Sequence, residues 1–195
     1  MGAGRCALSK EEIMLMMPQL EVKTALLEPL ETAVVPATLA PVIIRDYFKK
    51  NTRVRFSAIF AEFKNRFFDK TESPTAEAAY RKYKLLSISD DGPIIAELGG
   101  GSKVEGTFTA AFTLLQGQPK GEAGFLQTNG YANIFYVRDK KGVLCAIQIG
   151  WRNDGWVVDA ISVADPLAWI GKHLIFCPLS EAPETFDICL PTATT

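Results

Sequence analysis

A single histidine sets the limits of what this chain could do chemically. His173 stands alone among 195 residues, beside four cysteines at 6, 145, 177 and 189. A two-histidine zinc site is therefore impossible, and no Cys-x-x-Cys pair takes its place; neither a metal nor a cofactor is expected. His173 and Cys177 are four residues apart in His-Leu-Ile-Phe-Cys. On a strand that spacing is about 13 Å, too long for a thiol–imidazole hydrogen bond, whereas on a helix the two would be neighbours. In either setting Cys177 reads as a small buried hydrophobe.

Asp159 is the more informative residue. In Trp156-Val-Val-Asp159-Ala-Ile-Ser-Val163 it shares the strand face of Val157, Ile161 and Val163. A carboxylate on an apolar face must be paired, protonated or turned into a cavity. A cavity would suit a ligand-orienting group or a general base. Tyr136, Trp151 and Trp156 are the further candidates to line such a pocket, and under an enzymatic reading Tyr136 would donate to developing negative charge. The run Gly99-Gly100-Gly101-Ser102 invites comparison with a phosphate-cradling loop, which needs a helix directly after it. Residues 104–116 instead alternate apolar and polar side chains, the pattern of a strand, so the glycines are expected in a hairpin loop.

The elements that would position these groups centre on residues 131–163. Residues 132–139, 143–152 and 156–163 read as three antiparallel strands, joined at Lys140-Lys141-Gly142 and Asn153-Asp154-Gly155. Asp-Gly between β-branched runs is a strong hairpin signal. The middle strand is apolar on both sides, so the sheet should be covered on both faces. The last hairpin, ending in Gly155-Trp-Val-Val-Asp159, resembles the final strands of cone-shaped nuclear transport factor 2-like domains. That resemblance implies a curved sheet with helices tucked against it and says nothing about function.

Upstream, Ser9-Lys-Glu-Glu12 forms a capping box before Ile13–Met17 and so predicts a short helix. Pro29 and Pro36 interrupt residues 21–40. Pro41 opens a second helix, and Phe56, Ile59, Phe60, Phe63 and Phe67 recur at helical spacing, although Val54, Phe56, Ala58 and Phe60 also alternate. Ser73-Pro74 predicts a third helix over 75–84. Residues 85–89 and 93–98 read as a hairpin, 122–128 as a strand, 167–170 as a short helix and 173–179 as a last strand. Residues 180–195 read as a surface tail.

Composition is that of an ordinary globular protein, 48% apolar and 22% charged, with a formal charge of −1. No apolar run reaches the roughly 18 residues of a membrane helix. The start lacks an apolar signal core, so reduced thiols and a cytoplasmic location are expected. Residues 45–84 hold eleven basic against five acidic groups; a solvated face accounts for this more simply than a polyanion site, which argues against a nucleic-acid partner.

The expected architecture is one α+β domain over 1–195. An N-terminal helical or irregular segment (1–40) and a helical layer (41–84) pack on a strongly curved antiparallel sheet (85–179) of about seven or eight strands, cone-shaped or a partly closed barrel. The expected function is non-catalytic binding of a small apolar molecule or a protein partner. The alternatives are a small cone-type enzyme with Asp159 as general base, and polyanion binding through 45–84.

Overall fold

The computed structural model describes residues 25–50, 53–165 and 167–179. The elements run β1 (Leu27–Val35), β2 (Val42–Ile43), α1 (Ile44–Lys49), β3 (Phe56–Ile59), α2 (Ala61–Phe67), β4 (Thr71–Glu72), β5 (Ala78–Leu85), α3 (Asp91–Glu97), α4 (Gly101–Val104), α5 (Phe108–Gln116), β6 (Asn133–Arg138), β7 (Leu144–Arg152), β8 (Gly155–Ser162) and β9 (Leu174–Pro178). The chain is α+β. Seven strands form one sheet in the order β1-β5-β9-β6-β7-β8-β3, and β2 and β4 make a separate two-stranded ribbon. The capping box at Ser9–Glu12 and the tail at 180–195 lie outside the described residues.

The meander at β6-β7-β8 forms as its turn chemistry demands, antiparallel throughout, with Tyr136 opposite Ala146 and Gln148 opposite Asp159. Its second turn places positive φ on Asn153 and Asp154 rather than on Gly155, a conformation these short polar side chains tolerate. Gly155 is needed for a different reason. A Cβ there would stand 2.6 Å from the backbone nitrogen of Ser57, because β3 runs parallel to β8 at this point.

Three expectations about the sheet are corrected. It is mixed rather than antiparallel, since β9 pairs parallel with β6 and β3 parallel with β8. It is open, ending in β1 and β3, and neither closes nor curls into a cone or barrel. Nor are the helices an N-terminal layer: α3, α4 and α5 lie between β5 and β6 in the chain. The continuous apolar run Leu174-Ile-Phe-Cys177 explains the mixed order. Such a strand suits an interior position covered on both faces, and β9 sits between β5 and β6 with those four side chains buried.

Local patterns were overridden in six places. The aromatic stripe from Phe56 is helical only from Ala61, its first residues forming β3 beside β8. Residues 78–85 form a strand rather than the continuation of a helix from Ser73-Pro74, because they pair with β1 on one side and β9 on the other. The expected hairpin at 85–98 is instead the end of β5 followed by α3. The alternating 104–116 segment ends α4 and forms α5; Phe108, Ala111, Phe112 and Leu115 are all buried at helical spacing. Residues 122–128 and 167–170 form neither the expected strand nor the expected helix. Pro29 fits within β1 because β1 is an edge strand with a register shift between Pro29 and Thr32.

Both faces of the sheet are covered. On one, Ile44, Phe63, Phe67, Phe108 and Phe112 from α1, α2 and α5 pack on Phe135, Ile147, Ile149, Trp156 and Phe176. On the other, Ile94 of α3, Val104 of α4 and Trp169 pack on Ile134, Tyr136, Ala146 and Ile175. At the β3 edge, Gly155→Ala should force backbone apart and cost about 1–3 kcal/mol. A chemical-denaturation series would register this as a lower midpoint with an unchanged slope.

Candidate functional site

The four side chains expected to share a pocket are divided between the two faces of the sheet. Trp151 and Trp156 are cross-strand neighbours on the face covered by α1, α2 and α5, with ring centroids 5.3 Å apart. Trp156 is fully buried, and its Nε1 donates to the Gln118 carbonyl at 2.8 Å. Tyr136 and Asp159 belong to the opposite face. Asp159 is half-buried; its Oδ1 accepts from the Ala160 amide at 2.8 Å and its Oδ2 from Gln148 at 3.4 Å. It borders a cavity of about 100 Å³ with Gln148, Arg152 and Phe60, space for a few waters.

Tyr136 belongs to a different cluster. Its hydroxyl donates to Oδ1 of Asp91 at 2.7 Å, and Trp169 Nε1 donates to the same oxygen at 2.7 Å. Asp91 opens α3 and is only 2% exposed, and its Oδ2 has no hydrogen-bond partner among the described residues. Burial raises the Asp91 pKa, against the pull of the two donors. Burial, together with the adjacent carboxylate, also raises the Tyr136 hydroxyl far above its ordinary value. The arrangement suits a neutral acid, with Oδ1 as the carbonyl that accepts both bonds.

A cavity of about 570 Å³ forms a groove between the β2–α1 segment and α5. Pro41, Val42, Ile43, Tyr47 and Phe112 supply its apolar walls; Asp46, Lys50, Arg53 and Gln116 supply its polar groups. Tyr47 stacks on Phe112 with centroids 4.3 Å apart. The walls are joined through one buried carboxylate that sequence reasoning missed. Glu72, on β4 opposite Val42 of β2, reaches the start of α5. There its Oε1 accepts from the Phe108 amide at 2.9 Å, and its Oε2 accepts from the amide and hydroxyl of Thr109 at 2.7 and 2.6 Å. Lys70 Nζ lies 3.3 Å from Oε1. The Tyr47 hydroxyl donates to Thr109 Oγ1 at 3.0 Å, so a chain of donors runs from the groove wall to Glu72. Thr107 completes the helix start by accepting from the Ala110 amide at 3.1 Å. A carboxylate here satisfies amides that have no partner within the helix and complements its positive end.

The sequence did carry one sign of this site. Gly106-Thr107 before Phe108, Ala111, Phe112 and Leu115, with Gly117 after them, is a capped amphipathic helix. The same residues also alternate, which hid it. Nothing around Thr71-Glu72 marks Glu72 in one dimension.

The thiols and the imidazole are placed as structural groups. Burial raises Cys145 and Cys177 to about 11, so both are protonated at neutral pH. His173 Nδ1 accepts from the Ala132 amide at 2.8 Å, and burial lowers its pKa. Among the described residues no cluster of metal-ligating side chains occurs, and no helix is long and apolar enough to cross a membrane. The triple glycine has positive φ at Gly99 and Gly100 and leads into the single turn of α4 rather than a hairpin. Of the eleven basic residues in 45–84, Arg45, Lys50, Arg66, Lys70, Lys82 and Lys84 are ion-paired.

Two consequences are measurable. Glu72→Ala would leave two amides and a hydroxyl without their acceptor, a cost of about 3 kcal/mol or more, seen as a fall in Tm of roughly 6–12 °C. For Asp91 the folded pKa is raised, so its stabilising effect is complete below the ordinary carboxyl range and is lost as pH rises through the folded value. The Tm of Asp91→Asn relative to wild type should therefore increase between pH 4 and pH 7; a constant difference would mean that Asp91 does not titrate in that window. Compared with known proteins, the chain matches no family model, no curated protein and no solved structure.

Proposed function

We propose that this chain is a non-catalytic binding domain that takes a small apolar molecule into the groove between β2–α1 and α5. The observation that carries the proposal is the groove itself. Its volume of about 570 Å³ lies within the range of small-molecule sites, and its walls are apolar and aromatic with a few polar groups. The Glu72 connection supports the same reading, because it holds both walls before any ligand arrives, and a preorganised site loses less free energy on binding. Asp46 and Lys50 pair with each other across one helical turn at 3.0 Å, which leaves the apolar walls as the chief source of affinity.

The alternatives have less support. An enzyme built on Asp159 would have only the cavity of about 100 Å³ in which to seat a substrate, with both carboxylate oxygens already accepting hydrogen bonds. Polyanion binding through 45–84 draws on a segment whose cations are divided among α1, α2, β5 and the stretches between elements, with six of the eleven ion-paired.

The test uses a fluorescent apolar anion, 1-anilinonaphthalene-8-sulfonate, with the full chain. Saturable binding with one-to-one stoichiometry is expected. Val42→Trp, at a half-buried wall position, should fill the groove and weaken binding by about tenfold or more while Tm stays within a few degrees. Absence of saturable binding, or binding indifferent to Val42→Trp, would refute the groove as the site.

A further inference from the structure

The groove between β2–α1 and α5 has two chemically different ends. Its walls run side by side in the same direction. Val42, near the start of one wall, stands opposite Glu72, whose carboxylate takes the amides of Phe108 and Thr109 in the first turn of α5. At the far end the Arg55 amide donates to the Pro119 carbonyl at 2.8 Å, just beyond Gln116, the last residue of α5. Passing from the first end to the second, one wall presents Pro41, Val42, Ile43 and Tyr47, then Lys50 and Arg53; the other presents Phe112, then Gln116. Both walls thus turn from apolar to polar at the same end. The six residues of α1 hold the two ends about 9 Å apart.

The ends also differ in what they offer a ligand. At the apolar end the polar groups are bonded to one another: the Tyr47 hydroxyl donates to Thr109, and the Thr109 hydroxyl donates to Glu72. A charged head placed there would lose hydration where the neighbouring donors are already engaged. The polar end is basic. Residues 44–56 carry Arg45, Lys49, Lys50, Arg53 and Arg55 against one acid, Asp46. Arg45 turns to Asp69, while Lys50 and Arg53 border the groove. The Lys50 side chain is 77% exposed, and its pair with Asp46 spans one turn at the helix surface. Such a pair contributes little and is readily exchanged for another. A guanidinium has five N–H donors, so Arg53 can keep one bond while making a second. The carbonyls at the end of α5, which would oppose an anion here, are already taken. Leu114 accepts from the Gly117 amide at 3.1 Å and Leu115 from the Gln118 amide at 3.0 Å.

We propose that the occupant of this groove is a small amphiphile with an unbranched apolar chain and a single carboxylate. The chain lies lengthwise against Pro41, Val42, Ile43 and Tyr47, and the carboxylate sits between Lys50 and Arg53. This rests on the groove being the binding site, and adds to it the chemical class and the orientation of the ligand. Burial of the chain supplies the affinity; the head supplies the selection. Lys50 and Arg53 against Asp46 leave that end one positive charge in excess, which one ligand carboxylate balances. A hydroxyl head would gain only neutral hydrogen bonds, about half as strong as charge-assisted ones. An ammonium head would meet two like charges.

The test is titration calorimetry of the full chain with decanoate, decanol and decylamine, each kept below the concentration at which it aggregates. Decanoate should bind about tenfold or more tightly than decanol, and decylamine most weakly. Lys50→Met with Arg53→Met removes both charges and keeps apolar stems; this double variant should bind decanoate and decanol within about twofold of each other. Lys50→Met alone, at an exposed position, should already narrow the difference. Val42→Trp should weaken all three ligands. Equal affinity of wild type for decanoate and decanol overturns the proposal, and so does a preference for decanoate that survives the double variant. Either result leaves the groove as the site so long as Val42→Trp still weakens binding. Absence of saturable binding by any of the three overturns the groove itself, and this proposal with it.

Discussion

The contact on which the groove depends is the Glu72 carboxylate at the start of α5. A two-residue strand and a nine-residue helix have little intrinsic tendency to form alone. Glu72 couples them. Its two oxygens take up donors that would otherwise be buried without partners, and one of those donors, Thr109, in turn accepts from Tyr47 on the facing wall. Lys70 supplies the countercharge. Those hydrogen bonds offset the loss of hydration that comes with burial at 5% exposure.

Asp91, on the other face of the sheet, shows the contrasting solution. It receives two donors on one oxygen and none on the other. The neutral acid is the form that this geometry favours, and both carboxyl groups serve as structural pins. Each fixes one point of an element packed on the sheet: the first turn of α5 in one case, Trp169 in the other. Neither role follows from the apolar pattern, which governs only which faces are buried.

What could be read in one dimension follows from the range of the forces involved. The β6-β7-β8 meander was legible because hairpins are specified by neighbouring residues: Asn153-Asp154-Gly155 and the flanking β-branched runs suffice. The two-sided cover was legible because β7 is apolar on both faces. The helical fate of 108–116 was not, since Phe108 and Phe112 satisfy a period of two as well as one of 3.6. The strand at 78–85 was hidden for a stronger reason, as only β1 and β9, about 50 and 100 residues away in the chain, decide it. The candidate site divides in the same way. Tyr136, Trp151, Trp156 and Asp159 were chosen from one local meander, where alternation sends them to opposite faces. The buried hydrogen bonds of Glu72 and Asp91 all go to partners more than 35 residues distant.

The place of β9 has a consequence for how the molecule comes into being. β5 and β6 are consecutive strands of the main sheet in the chain but do not pair; β9 lies between them and bonds to both. Until Leu174–Pro178 has left the ribosome, the sheet exists as two unconnected halves, each with an unsatisfied inner edge. Unpaired edges of this kind are prone to pair with the wrong chain, and Arg81, Lys82 and Lys84 along β5 oppose that on one side. During synthesis the nascent polypeptide must therefore hold two partial sheets apart, and its folding is completed by the arrival of a late segment rather than by growth from an early one.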